Sequence, residues 1–254
     1  MVPPPYGQHF LIDEALAKRE VAYAEISRDD VVLEVGPGKG VLTRLLSARA
    51  KRVLAVEIDD RLVSFLSSRL PKNVELIHGD ILKVPLASLP RFTKIVSNIP
   101  YEISSPLTFI LLDQPFNVAV LIYQKEFAER MIASPRTHAY CRLSVGVYYK
   151  ATCELLESVP RSSFKPQPQV YSAVIRLKPR SKPPFEVRDE AFFFSLTRVL
   201  FNHRRKRIRT ILRRHLGDSL AQVPYGEQRV EELTPEEIAC ISTYLIEKGI
   251  QRIE

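Results

Sequence analysis

Asn98-Ile99-Pro100-Tyr101 concentrates more chemistry than any other stretch of this chain. Asn98 offers a side-chain acceptor and Tyr101 a flat face. Pro100 has no N–H and holds its φ at about −65°. It also pushes Ile99 toward an extended conformation, so the Ile99 carbonyl can face a ligand instead of a helix ladder. An amide acceptor, a fixed carbonyl and an aromatic plate together suit a flat base held through its exocyclic amine. A plain strand-ending turn needs none of the three. Further on, Phe164 heads the run Phe164-Lys165-Pro166-Gln167-Pro168-Gln169-Val170, which its two prolines make extended and stiff. The Phe164 ring is either a second plate or a plug beside a Pro-rich loop.

A second constellation lies upstream. Val31-Val32-Leu33-Glu34-Val35 reads as a buried parallel strand, and Gly36-Pro37-Gly38-Lys39-Gly40 follows it directly. Glycines let a backbone turn sharply and approach a ligand that a Cβ would obstruct. The strand from Arg52 ends in Glu57, 21 residues after Gly36, where a ribose-binding carboxylate is expected at about 20. The spacing is G-x-G-x-G, one residue short of the dinucleotide fingerprint. Lys39 is followed by Gly40 rather than Ser or Thr, which excludes a Walker A loop. On this stretch alone a methyl-donor site, a dinucleotide site and a structural turn all stay open. A third strand, Val74 to Ile77, runs into His78-Gly79-Asp80. Asp80 is either a ligand group at a strand's C-terminal edge or a turn former. Gln8-His9-Phe10 reads on its own as a loop with one buried aromatic.

Elements that position these groups follow from pattern. Strands are expected at 31–35, 52–58, 74–77, 94–97, 118–123, 151–159 and 172–177. Helices are expected from near Ile12, after Gly40, and over 60–70, 105–112 and 125–132, with Leu143 to Tyr149 opening a further regular stretch. Strands alternating with helices predict an α/β fold. Lys178-Pro179-Arg180-Ser181-Lys182-Pro183-Pro184 is linker-like. It divides a domain over 1–178 from a helical one over 185–254. From Ala191 to Gly217 there is no acid, while arginines recur. Phe201, Ile208, Ile211, Leu212 and Leu216 fall on one side of a helix there, and Arg205, Arg209 and Arg213 fall together on another. A one-sign face of that density predicts a phosphate-binding surface. Thr234-Pro235-Glu236-Glu237 predicts the N-terminus of a closing helix.

Over 254 residues the formal net charge is +8, which favours a polyanionic partner. Cys141, Cys153 and Cys240 are scattered and in no metal or redox spacing, and the five histidines form no metal motif. We therefore expect buried thiols in a reducing compartment and no metal. Met1 to Gly7 lacks a basic segment leading into an apolar core, so no signal peptide is expected. No apolar run reaches the roughly 18 residues of a bilayer span, and a cytoplasmic protein without a membrane partner is expected.

Taken in order, Gly7-Gln8-His9-Phe10-Leu11, the glycine turn, Glu57, Gly79-Asp80, Asn98-Ile99-Pro100-Tyr101 and Phe164 to Val170 resemble the rRNA adenine N6-dimethyltransferases. Phe201-Asn202-His203-Arg204-Arg205-Lys206 looks like the KsgA-type branch rather than the erythromycin-resistance methylases. The resemblance spans nearly the whole chain. It implies a Rossmann-like seven-stranded methyltransferase sheet and a small all-helical C-terminal domain. It also implies S-adenosyl-L-methionine as donor, with S-adenosyl-L-homocysteine as product. The implied substrate is a pair of adjacent adenosines near the 3′ end of small-subunit rRNA, met by a monomer within a pre-ribosomal particle. By resemblance the donor pocket takes Gln8, His9, Leu11, Gly36, Gly38, Glu57, Ile58, Asp80, Ile81 and Asn98. Glu57 would meet the ribose hydroxyls and Asp80 the adenine amine of the donor. Asn98, Ile99, Pro100, Tyr101 and Phe164 would hold the target base, while Arg204, Arg205, Lys206, Arg209 and Arg213 would meet RNA. Gln8 stands where many relatives carry Asn. An assembly factor with secondary methylation and a dinucleotide oxidoreductase are the competing readings.

Overall fold

The computed structural model describes residues 8–217 and 222–253. In chain order its elements begin with β1 (Phe10–Leu11), α1 (Glu14–Tyr23), β2 (Val31–Val35), α2 (Val41–Ser47), β3 (Arg52–Glu57) and α3 (Asp60–Leu66). Then come β4 (Val74–His78), β5 (Lys94–Asn98), α4 (Ser104–Leu112), β6 (Val118–Gln124), α5 (Lys125–Met131) and α6 (Arg142–Lys150). The chain continues through β7 (Ala151–Val159), β8 (Phe164–Lys165), β9 (Ser172–Pro179), α7 (Glu190–Phe201), α8 (Ile208–Leu216) and α9 (Pro235–Glu247).

Two compact units result. The first comprises 1–128 and 151–179, and the second 129–150 and 180–254. The expected break at the linker is therefore only half of the boundary. Residues 129–150, read from sequence as part of the first domain, belong to the second unit. The reason is their apolar face: Tyr140, Val145 and Tyr149 are buried in one cluster with Phe193, Leu196, Ile208, Ile238 and Leu245.

The first unit is built on a seven-stranded sheet in the order β4-β3-β2-β5-β6-β9-β7. Pairs from β4 to β6 are parallel, while β9 runs antiparallel to both β6 and β7. Strands buried on both faces need continuous apolar residues, and Val32, Leu33, Val53, Leu54, Ile95, Val96, Val120 and Leu121 are all fully buried. The chain leaves β2 for β3 and β4 on one side, then returns to β5 on the other. That reversal opens a crevice at the C-terminal ends of β2 and β5, where open α/β sheets take their ligands.

A separate two-stranded ribbon pairs β1 with β8, placing Leu11 opposite Phe164 and Phe10 opposite Lys165. It moves the first helix two residues later than the expected start near Ile12. Asp13 caps α1, its Oδ1 accepting from the Leu16 N–H at 2.9 Å.

In the second unit the helix expected to carry Phe201, Ile208, Ile211, Leu212 and Leu216 on one side is broken, with Phe201 ending α7 and Ile208 opening α8. The chain turns over 202–207 because the segment near 226–229 takes its backbone. Ile208 N–H donates to the Gln228 carbonyl at 2.9 Å, and Arg209 N–H to that of Gly226 at 3.0 Å. The closing helix starts as expected, with Thr234 and Glu237 forming a reciprocal cap and Pro235 in the first turn. No described helix is long and apolar enough to cross a membrane.

Candidate active site

The first unit carries a cavity at the β2–β5 crevice. Gln8, His9, Leu11, Gly36, Gly38, Glu57, Ile58, Asp80, Ile81, Asn98, Ile99, Pro100 and Tyr101 line it, together with Glu34, Phe10 and Lys39. Segments almost a hundred residues apart in sequence meet here because β2, β3, β4 and β5 all end on the same edge.

The glycine turn forms one wall. Gly36 has φ +67° and Gly38 φ +58°, a region that costs other L-residues roughly 1–2 kcal/mol. Gly36 N–H donates to the Val56 carbonyl at 2.8 Å, tying the turn to β3. A Cβ on Gly38 would stand 3.0 Å from the Phe10 ring. The glycine is thus required both by backbone angle and by the aromatic packed against it, and Lys39 Nζ lies 5.3 Å from the same ring centre.

Carboxylates form the floor. Glu57 is 2% exposed. Its Oε1 accepts from Ile58 N–H at 2.9 Å and Asp59 N–H at 3.0 Å, and its Oε2 from Gly38 N–H at 3.3 Å. Burial raises its pKa, and these backbone donors oppose the rise. Asp80 is held by Leu82 N–H at 3.0 Å and by Lys83 at 3.5 Å. Glu34, in the middle of β2, was not singled out by residue pattern. It is fully buried, its Oε2 has no partner among the described residues, and its pKa is pushed up to about 8, first by burial and further by the charge of Glu57. The only sequence signal was one acid inside an otherwise apolar buried strand.

The Asn98 corner closes the cavity. Asn98 ends β5 opposite Ile122. Its Nδ2 donates to the His9 carbonyl at 3.3 Å, while its Oδ1 is buried with no partner among the described residues. Buried amide oxygens are nearly always satisfied, so this one is available to a ligand. Pro100 has φ −55° and ψ 127°, which turns the chain out of the strand. The Tyr101 hydroxyl shares a 2.6 Å hydrogen bond with Ser172 Oγ, and Ser172 is fully buried at the start of β9. His9 stacks obliquely on Tyr101, 5.6 Å between ring centres, and its Nδ1–H donates to the Pro166 carbonyl at 2.8 Å. Ser172 is a second residue that sequence reading passed over, since a lone serine in a strand carries no pattern.

Phe164 does not join this set. It is 1% exposed and packs in the core with Leu11, Leu16 and Val174. Pairing of β8 with β1 turns its ring inward, so the expected plate is instead the plug. Among the described residues no group of three or more His, Cys, Asp or Glu could hold a metal.

The arginines of the second unit do not form the expected stripe. Arg205 lies in the 202–207 turn, so the expected stripe of three reduces to Arg209 and Arg213 on α8. The face is not of one sign either. Arg204 pairs with Glu231 at 2.9 Å and donates to the carbonyls of His138 at 2.9 Å and Thr137 at 3.4 Å. Arg207 and Arg209 share Glu227. Arg205 is exposed and Lys206 half-buried.

A parallel sheet reversing at β2, a glycine turn, an acid closing β3 and a polar corner after β5 define a Rossmann-like α/β methyltransferase. The profile of the family described as ribosomal RNA adenine dimethylase matches residues 3–247, and this chain belongs to that family. A probable ribosomal RNA small subunit methyltransferase A from Methanosarcina acetivorans is 45% identical over 254 residues, 95% of this chain and 93% of that protein. One from Thermococcus onnurineus is 46% identical over 94% of this chain and 90% of its own length. A crystal structure of a dimethyladenosine transferase from Plasmodium falciparum superposes with a TM-score of 0.83 at 30% identity, covering 95% of this chain and 99% of that one. The 23S rRNA methyltransferase ErmE gives 0.66 at 32% identity over 92% and 98%.

Proposed function

We propose that this chain transfers methyl groups from S-adenosyl-L-methionine to N6 of two adjacent adenosines near the 3′ end of small-subunit rRNA. Each adenosine receives two methyls, each transfer breaking the donor's S–CH3 bond and releasing S-adenosyl-L-homocysteine and one N6 proton to solvent, and the substrate is an assembling ribosomal particle. The observation that carries the reading is the buried Oδ1 of Asn98, without a partner among the described residues, set in a cavity wall that also holds the glycine turn. Support for the target comes from the small-subunit methyltransferases at 45% identity and from the dimethyladenosine transferase fold.

Residues present fit the donor. The absent Cβ of Gly38 leaves backbone open to an amino-acid group, with the Phe10 ring behind it. Glu57 has three backbone donors, and a carboxylate has about four acceptor sites, so capacity remains for a ribose hydroxyl. Asp80 and Ile81, which line the cavity, would hold the adenine amine, and Gln8, His9, Leu11 and Ile58 complete the lining. When bound, the donor supplies an electrophilic methyl on a sulfonium sulfur.

The protein's part is to make a poor nucleophile ready. An adenine amine is planar because its lone pair is delocalised into the ring. Asn98 Oδ1 and the Ile99 carbonyl accept its hydrogens and favour a tetrahedral nitrogen as positive charge develops. Tyr101, its hydroxyl fixed by Ser172, offers the ring on which an extruded base stacks, recovering about 1–3 kcal/mol of the extrusion cost. None of the three cysteines lines the cavity, and amine methylation needs no thiol. The test is mass spectrometry of rRNA fragments after incubating purified small subunits with labelled donor. N6,N6-dimethyladenosine at two adjacent 3′ positions is expected. Label on another base, or none, overturns the reading.

A further inference from the structure

The outer side of the segment from Arg161 to Tyr171 has no role in the mechanism above. Tyr171 is 52% exposed and the Arg161 guanidinium lies 5.7 Å from its ring centre. Both are fixed from behind. Arg161 Nη1 donates to the Gln169 carbonyl at 3.4 Å, and the Tyr171 carbonyl accepts from Lys125 N–H at 2.9 Å. The next residue is Ser172, whose Oγ holds the Tyr101 hydroxyl at 2.6 Å. One peptide and one hydrogen bond thus separate the exposed ring from the ring inside the catalytic cavity. Ser172 opens β9 and is buried, whereas Tyr171 lies just before the strand and is exposed.

Charge on this segment points the same way. No acid occurs between Glu157 and Glu186, while Arg161 and Lys165 are exposed. A single exposed tyrosine is ordinary on a protein surface. An exposed tyrosine paired with a guanidinium, pinned by its backbone and one residue from the serine that holds the Tyr101 hydroxyl, is suited to be a stacking platform. Extruding a base leaves its neighbour in the strand without a stacking partner. Bases in that condition stack on aromatic rings and guanidinium planes whatever their identity.

We propose, resting on the function given above, that Tyr171 stacks the unpaired nucleotide flanking the target adenosine while Arg161 and Lys165 meet its phosphates. Phe164, buried in the core, cannot do this.

The test uses the full chain and a small-subunit rRNA 3′-end fragment carrying 2-aminopurine beside the target adenosine. In the wild type, binding quenches the probe as it stacks. Tyr171→Ala should weaken RNA binding roughly 5- to 150-fold, the loss of one stacked base, and abolish the quench. Tyr171→Phe should retain both, and Tyr171→Leu, similar in bulk but not flat, should behave like the alanine variant. Arg161→Gln should reduce the slope of log affinity against log salt by about 1. Donor binding should be unchanged in all four, which also reports that they fold. Unchanged affinity and quench in Tyr171→Ala, or full binding by Tyr171→Leu, overturns the platform. If the wild type fails to methylate purified small subunits the proposed function fails instead, so the two failures are distinguishable.

Discussion

Glu34→Gln has an effect on stability that can be worked out in sign and size. Glu34 is 1% exposed, and its pKa stands at about 8 against an ordinary 4.5. Between those values the folded chain keeps a proton that the unfolded chain has released. Stability therefore falls as pH rises from 4.5 to 8, and the loss is complete and constant above 8. Each pH unit is worth roughly 1.4 kcal/mol, so the full window amounts to about 5 kcal/mol. Glutamine removes the titration but leaves a buried amide, at a cost of about 1–3 kcal/mol that is the same at every pH. The pH-dependent part is the diagnostic one. Glu20 in α1 is also fully buried, its pKa raised first by burial and then by Glu34, so removing the Glu34 charge relieves it in the same direction. Urea denaturation of both proteins at pH 5, 7 and 9 measures the difference. Glu34→Gln should gain on the wild type by several kcal/mol between pH 5 and 9. A difference that stays constant with pH would refute the assignment of a protonated, buried Glu34.

Three further outcomes follow from the geometry. Ser172→Ala frees the Tyr101 hydroxyl and should raise KM for RNA several-fold with little change in donor affinity, measured by titration calorimetry; Tyr101→Phe should mimic it, and the double variant should be no worse than either alone. Gly38→Ala places a Cβ 3.0 Å from the Phe10 ring at φ +58° and should weaken donor binding by at least tenfold, with partial recovery in Gly38→Ala/Phe10→Ala; donor affinity equal to wild type would contradict the close approach. Arg204→Ala cuts an ion pair and two carbonyl contacts and should lower stability by about 1–3 kcal/mol, whereas Arg205→Ala should leave the melting temperature alone and weaken RNA binding; the reverse pattern in thermal melts would exclude the strut role of Arg204.

Local chemistry in this chain was legible and long-range pairing was not. Strand β2 with its glycine turn, Glu57 closing β3 and the corner at Asn98 are each contiguous in sequence, and the sheet needs only to align their ends. Phe164 was ambiguous because its burial depends on β1, more than 150 residues earlier. Arg204 and Arg209 read as a bare cationic face because Glu227 and Glu231, which pair with them, lie outside the acid-free stretch. The segment 129–150 looked continuous with the sheet domain because no composition change marks the point where the chain leaves it. Glu34 and Ser172 gave no pattern, since the role of a buried polar group is set by what it faces.

Methyl transfer as proposed requires Asn98 Oδ1 to face the amine of the target adenine. The most direct measurement is a crystal structure with S-adenosyl-L-homocysteine and an adenosine-containing RNA bound. It should place N6 within about 2.6–3.2 Å of that oxygen, on the side of the glycine turn. An N6 directed away from Asn98, with the amide oxygen still unpartnered or satisfied by the protein itself, would contradict it.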